Sequence, residues 1–441
     1  MIASIEAQSG QDPECWTFAG GSRREEAHAY FQYPAMMVPS VQRKLIASIL
    51  QLQSNITSVL DPFAGSGTIL VEAMIAGLSV RAQDINPLAV LLCKAKAGPL
   101  NNALLHKRVH TALTAAREDR STHLEAHFPN RRKWLRDCAA IDLSRLKRAI
   151  GSIEERWVRR FLWVSLAETI RLTSNSRTST YKLHIRPREQ IPTLARPLDV
   201  FRVIAERNLA KHLEFATRLK TEDSFQGTPP VQSADIRLRD SRLPIDGQYD
   251  LLVTSPPYGD NQTTVPYGQS AYLPLQWVDF KDIDTGASSE DFLSSTHEID
   301  RQSLGGERAR GNLRQQFRDL LERSPSLDKT LRKLELHPKD RSSRVVTFIS
   351  DLDVAIQASF AALKHNAYSI WTLGNRRVGG IEVPLDAITT ELVNTHGGVR
   401  VTSVVRQIRS KRMAIRNSVA PTMHHEHIII FRSNKRAPLA R

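Results

Sequence analysis

Three short stretches carry residues whose types and spacing suit chemistry. Ser255-Pro256-Pro257-Tyr258 follows the apolar run from Tyr249 to Thr254. In such a loop the serine oxygen and the carbonyl of the first proline are hydrogen-bond acceptors, and the proline rings keep that carbonyl aimed outward. Two acceptors side by side can hold both hydrogens of an amino group, while Tyr258 offers a flat face for stacking. A conjugated amine is a poor nucleophile because its lone pair is delocalised. Holding it pyramidal and in line with an electrophile lets it attack directly, without a covalent intermediate. No cysteine nucleophile is needed: none of Cys15, Cys93 and Cys138 follows a proline or belongs to a CxxC pair.

The second stretch is Asp61-Pro62-Phe63-Ala64-Gly65-Ser66-Gly67-Thr68. Paired glycines between a strand and a helix let the backbone approach a ligand that a side chain would block. Position 70 is leucine where a dinucleotide fingerprint needs its third glycine, and no GK[ST] follows, which weakens both the NAD-type and the P-loop readings. The third stretch is Asp84, 17 residues beyond Gly67, where a carboxylate can accept from both hydroxyls of a ribose. A nucleoside without a pyrophosphate fits this pair of features.

The elements that must position these residues are legible around them. Ser58 to Asp61 and Ser79 to Asp84 are predicted strands, and the run from Thr68 and that from Pro87 to Lys96 are predicted helices. Two βα units in succession predict a parallel, doubly wound sheet. An amphipathic helix is expected over Val41 to Leu52, and a buried strand over Tyr249 to Thr254. Further on, helices are expected over Val345 to Leu363 and Leu385 to Thr395, and strands over Tyr368 to Leu373, Val399 to Gln407 and His427 to Phe431.

DPFAGSGT followed by QDINP, together with SPPY, resembles the motif set of S-adenosylmethionine-dependent DNA amino-methyltransferases of the N4-cytosine and N6-adenine family. The resemblance covers roughly residues 28 to 98 and 230 to 432. It implies a Rossmann-like class I methyltransferase fold, α/β with a doubly wound, mostly parallel sheet and large insertions. It implies S-adenosylmethionine as cofactor, with Asp61, Phe63, Gly65, Gly67 and Thr68 around its methionine and ribose, Asp84 on the ribose and Asp235 on the adenine amine. Tyr33-Pro34 resembles the segment that lines the methionine end. Ser255, Pro256, Pro257 and Tyr258 become the catalytic loop acting on a flipped base, and serine at its first position is more typical of cytosine-N4 enzymes. Adenine-N6 methylation is the alternative. RNA guanine-N2 methyltransferases also pair such a glycine loop with PPYG, which Gly259 completes, but they carry an RNA-binding domain where this sequence has 60 residues. A non-catalytic nucleic-acid-binding protein of the same fold is the reading from another class.

The corresponding organisation is an N-terminal extension (1–27), a cofactor-binding part (28–99), a basic helical insertion (100–226), a catalytic-loop part (227–260), a polar insertion or mobile lobe (261–343) and a C-terminal part (344–434). Either insertion is a candidate for target recognition. The 61 Lys and Arg against 46 Asp and Glu leave +15, which favours a polyanionic partner such as double-stranded DNA. Residues 131 to 188 alone hold 15 basic and 5 acidic residues. Phosphate contacts are expected from Arg131, Arg132, Lys133, Arg159, Arg160, Arg177 and Lys182, and from the run Arg400, Arg406, Arg409, Lys411, Arg412 and Arg416. Tyr267, Tyr272 and Trp277 are read first as core and second as supports for an extruded base. His424-His425-Glu426-His427 lacks HExxH spacing, and no metal is expected. No apolar run is long enough to span a membrane and the start lacks a signal peptide, so a cytoplasmic, nucleoid-associated protein is expected. A restriction or defence-system partner is expected by association with the family alone.

Overall fold

Glycine and proline mark most of the turns in the first hundred residues, at Pro39, Pro62, Gly67, Gly77, Pro87 and Gly98. The computed structural model describes residue 16 and residues 24–226, 233–337, 341–408 and 425–434. After α1 (Pro39–Leu52), β1 (Ser58–Asp61) runs into the glycine loop and α2 (Thr68–Ile75). Gly77, at φ +74°, turns the chain into β2 (Ser79–Asp84), and Asn86 caps α3 (Pro87–Lys96) by accepting from the Leu88 N–H. Every residue of α2 is buried, as is nearly every residue of α3, because both are covered on two sides.

Among the described residues, seven strands form one sheet in the order β3-β2-β1-β4-β5-β9-β8. They include β3 (Ala234–Leu238), β4 (Tyr249–Thr254), β5 (Leu363–Leu373), β8 (Gly398–Gln407) and β9 (His425–Ser433); β6 (Arg376–Val378) and β7 (Ile381–Val383) make a separate hairpin. Pairing from β3 to β5 is parallel throughout, whereas β9 is antiparallel to both β5 and β8. This is the Rossmann-like, doubly wound architecture that the resemblance implies, with a mostly parallel sheet. Chain order reverses between β1 and β4, so their carboxyl ends flank the crevice where open α/β sheets bind ligands.

The basic tract is helical as expected, but it is not set apart from the sheet. It contributes α4 (Asn102–Glu118), α5 (Asp137–Gly151), α6 (Arg156–Thr173) and α7 (Pro197–Gln226). Helix α6 packs on α3 and α7, and Trp163, Phe201 and Phe215 join the same hydrophobic cluster as Val59 and Val80 of the sheet. The tract 261–343 also differs from a core-free lobe. It contains α8 (Tyr267–Leu275), several helices of one or two turns, and α9 (Pro325–Glu335), which rests on α10 (Ser342–Ala361). Trp277 and Leu331 are fully buried. Helices this short cannot sustain a 3.6-residue pattern long enough to be recognised. Helix α11 (Leu385–Thr395) covers the antiparallel side of the sheet. No described helix is long and apolar enough to cross a membrane.

Candidate active site

A cavity of about 1760 Å³ opens over the carboxyl ends of β1, β2 and β4. That exceeds the roughly 300–1,000 Å³ of a single small-molecule site, leaving space for two ligands that meet. One side is made by Pro62 to Ser66 and by Asp84 to Asn86, the other by Ser255 to Tyr258. Tyr33-Pro34 and Tyr267 line the wall between, with the Tyr33 and Tyr267 rings stacked at 5.7 Å. The Tyr33 hydroxyl accepts from Asn86 Nδ2 at 3.1 Å, so the aromatic wall is tied to the loop after β2.

The glycine loop is shaped to be close-fitting. Gly65 and Gly67 lie at φ +48° and +71°, and a Cβ on Gly67 would sit 2.9 Å from the buried Cys93 Sγ. Behind the loop, Lys96 Nζ donates to the Ser66 carbonyl at 2.6 Å. Asp84 accepts from the Gly65 N–H and the Asn86 N–H, both at 2.8 Å, one on each oxygen. Burial pushes its pKa up to about 6 despite these two N–H groups, which pull it down.

Asp61, Gly67 and Thr68 do not face the cavity. Asp61 lies beneath the loop, where Oδ1 accepts from Thr254 Oγ1 at 2.7 Å and from the Phe63 N–H at 3.2 Å. It therefore clamps the ends of β1 and β4 together, while its other oxygen is buried without a partner. Burial, opposed by the Thr254 hydroxyl and the Phe63 N–H, raises its pKa to about 7. Thr68 is buried and shares a hydrogen bond of 2.9 Å with the Ser66 hydroxyl. The structure thus places these residues behind the loop, whereas Phe63 and Gly65 line the cavity.

Asp235 is a larger departure. It pairs across the ladder with Arg81, three register positions before the β2 and β3 ends at Asp84 and Leu238, and its half-exposed carboxylate is bound by Arg81 and Arg237. It does not line the cavity; Asp240 and Ser241, just beyond the carboxyl end of β3, do. The Asp240 carboxylate is aimed by Arg242, whose Nη2 lies 2.6 Å away. Arg239-Asp240-Ser241-Arg242 reaches the cavity because it follows the end of a weak edge strand, which the apolar pattern does not mark.

In the catalytic-loop candidate, Ser255 Oγ donates to the Thr372 carbonyl of β5 at 3.1 Å. The same oxygen lies 3.4 Å from the Tyr258 hydroxyl, and whichever neighbour takes or gives a hydrogen, Ser255 Oγ keeps a lone pair. The Tyr258 hydroxyl donates to Glu426 Oε1 at 3.2 Å, and Glu426 Oε2 in turn accepts from Arg406 Nε at 2.6 Å. Burial raises the Tyr258 pKa well above its ordinary value, so the phenol stays neutral. Glu426 on β9 thus comes from the histidine-rich stretch without metal spacing, and Arg406 on β8 from the run expected to bind phosphate; together they hold the Tyr258 hydroxyl. No cluster of metal-ligating residues occurs among the described residues.

Among the basic candidates, Arg177 and Lys182 stand on the cavity wall with Thr180 and Tyr181, on a loop pinned by the Ser176 to Ile185 bridge. Arg131 and Arg132 instead pair with Asp137, and Lys133 lies over the Trp134 ring, all away from the cavity. Arg159 forks onto the buried Asp282, and Arg160 donates to the Asp282 carbonyl, so these two staple α6 to the segment after α8. Arg409, Lys411, Arg412 and Arg416 lie outside the described residues. Tyr272 and Trp277 are core, while Tyr267 lines the cavity.

No family model matches the chain. It is similar to the Type II methyltransferase M.MvaI of Kocuria varians, with 29% identity over 433 residues that make up 95% of this chain and 92% of that protein. The chain is a methyltransferase homologue. Near-complete coverage of both proteins means that the two helical tracts, and not only the motif-bearing segments, lie within the similarity. For this methyltransferase homologue S-adenosylmethionine is the implied methyl donor, and the cavity-facing backbone at Gly65 beside the Asp84 carboxylate fits its nucleoside.

Proposed function

We propose that the protein is a site-specific DNA methyltransferase that methylates an exocyclic base amine, cytosine N4 in particular. The observation that carries this reading is the Ser255 hydroxyl, a neutral acceptor held between the Thr372 carbonyl and the Tyr258 hydroxyl and next to Pro256 on the cavity wall. Bound S-adenosylmethionine supplies a sulfonium methyl as electrophile. Asp84 holds the ribose hydroxyls, Phe63 and Tyr33 flank the nucleoside and methionine ends, and Asp240, rather than Asp235, stands near the adenine amine. A base flipped out of the duplex stacks on Tyr258, and its amino hydrogens point to Ser255 Oγ and the Pro256 carbonyl. As the nitrogen becomes cationic these two acceptors strengthen, and fixed acceptors of this kind are worth about 10²–10³ in rate.

The test is to incubate the protein with labelled S-adenosylmethionine and either duplex DNA or transfer RNA, then resolve the nucleosides by mass. N4-methylcytosine in DNA is the expected product. N6-methyladenine corrects the base, N2-methylguanine in RNA overturns the reading, and absence of transfer favours a binding protein of the same fold.

Cofactor affinity should depend on pH through Asp84. Its folded pKa, about 6, lies above the ordinary 3.8, so the carboxylate gains its proton as pH falls through 6 and loses the charge that accepts the ribose hydroxyls. Linkage then gives an affinity about tenfold weaker at pH 5 than at pH 7. Calorimetric titration of S-adenosylhomocysteine across that range checks this, and a flat profile would remove Asp84 from the binding role.

A further inference from the structure

We propose that Arg344 and Arg376, gathered on Asp260 beside the catalytic loop, and Arg341 on the same cavity wall seat a phosphodiester of the strand that carries the target base. This rests on reading the protein as a DNA methyltransferase. Asp260 is buried two residues after Tyr258, and it is met by Arg376 Nη2 at 3.2 Å and Arg344 Nη1 at 3.4 Å. Arg376 also donates to Thr263 Oγ1 at 3.1 Å and lies so close to Gly259 that a Cβ there would come within 2.3 Å of the guanidinium. Arg341, Arg344 and Arg376 all line the cavity. Two cations therefore share one carboxylate and a third, Arg341, stands on the same wall, which leaves an excess of positive charge next to the place where a flipped base must enter.

Several features suit that excess to a phosphate. Arg344 reaches Asp260 through a single long hydrogen bond, so most of its fork is free to take two oxygens at once. Burial holds its guanidinium below the ordinary range against the pull of Asp260, and Arg308 and Arg341 press it the same way, as expected where cations crowd around too little negative charge. Helix α10 begins at Ser342, between the two arginines, and its positive end adds to the field. Extrusion of a base brings its flanking phosphates to the mouth of the pocket that receives it.

The experiment measures binding of a fluorescein-labelled duplex of mixed sequence by anisotropy over a series of salt concentrations, with S-adenosylhomocysteine bound. The double variant R341Q/R344Q should bind about tenfold more weakly at low salt, and its log Kd against log salt should be shallower by about 1 for each phosphate that is no longer neutralised. Its cofactor affinity and Tm should match the wild type, as should DNA binding by R132Q, whose arginine lies away from the cavity. Arg344→Lys keeps the charge without the fork and should fall between. Wild-type affinity and slope in the double variant would overturn the proposal while leaving the methylation reading intact. A wild-type protein that ignores duplex DNA but modifies RNA would overturn that reading and the proposal with it.

Discussion

Replacing Asp84 by alanine should raise the Kd for S-adenosylmethionine about 100-fold or more, with the chain still folded. Two ribose hydroxyl bonds to a charged acceptor are worth about 1.5–3 kcal/mol each, and every 1.4 kcal/mol is tenfold in affinity. The loss extends beyond the direct bonds, because Asp84 also accepts from the Gly65 and Asn86 N–H groups and so holds the glycine loop against the loop after β2. Asp84→Asn is a sharper probe. Its amide has one acceptor for these two N–H donors, so an NH2 must face an N–H, and the variant should resemble Asp84→Ala rather than the wild type. Isothermal titration gives the Kd, and circular dichroism checks the fold. A rise under threefold would show that the carboxylate does not hold the nucleoside.

Much of the frame around Asp84 can be foreseen from the residues. The limits of β1, β2, α3, β4 and α11 coincide with those expected, because each is an apolar run stopped by glycine, proline or a capping residue. Strand β3 is not among the expected strands. It is a sheet edge with one neighbour, mostly half-exposed, so Ala-Asp-Ile-Arg-Leu carries no continuous apolar signal. Asp240, which lines the cavity where Asp235 does not, is hidden for the same reason: the carboxylate at the end of a strand cannot be picked without knowing where the strand ends. The hairpin of β6 and β7 has three residues per strand around Gly379-Gly380, too few for alternation to register, although it carries Arg376 to the catalytic loop.

Charge is harder to interpret than apolar pattern. The excess at 131–188 suggests a phosphate-binding face, yet several of its arginines are used internally. Arg136 donates to the Leu194 and Ala195 carbonyls, Arg148 to Asp119 and Glu125, and Arg186 to the Ser174 carbonyl. A guanidinium that ties loop to helix and one that awaits a phosphate have the same letter in a sequence, and only the neighbouring carbonyls and carboxylates distinguish them. Of that tract, only Arg177, Lys182 and the residues around them reach the cavity.

Tyr258→Ala should reduce methyl transfer by about 100-fold or more with cofactor affinity unchanged, the converse of the Asp84 result. Stacking of a base on an aromatic ring is worth about 1–3 kcal/mol, and a base that is not held leaves its amine out of line with the methyl group, where a displacement of about 1 Å costs about 10²-fold. The ring is placed from behind: its hydroxyl is bonded to Glu426, which Arg406, itself almost fully buried, holds from the adjacent strand. Tyr258→Phe keeps the stacking face and loses that tether, so its kcat should fall only about three- to tenfold, consistent with a hydrogen bond of about 1 kcal/mol. Single-turnover rates with saturating S-adenosylmethionine, beside calorimetric Kd values, separate the two effects. The decisive comparison is between the variants: if Tyr258→Phe is as slow as Tyr258→Ala, the phenol oxygen rather than the ring carries the function, and Tyr258 joins Ser255 as a polar contact to the base rather than the surface on which it rests.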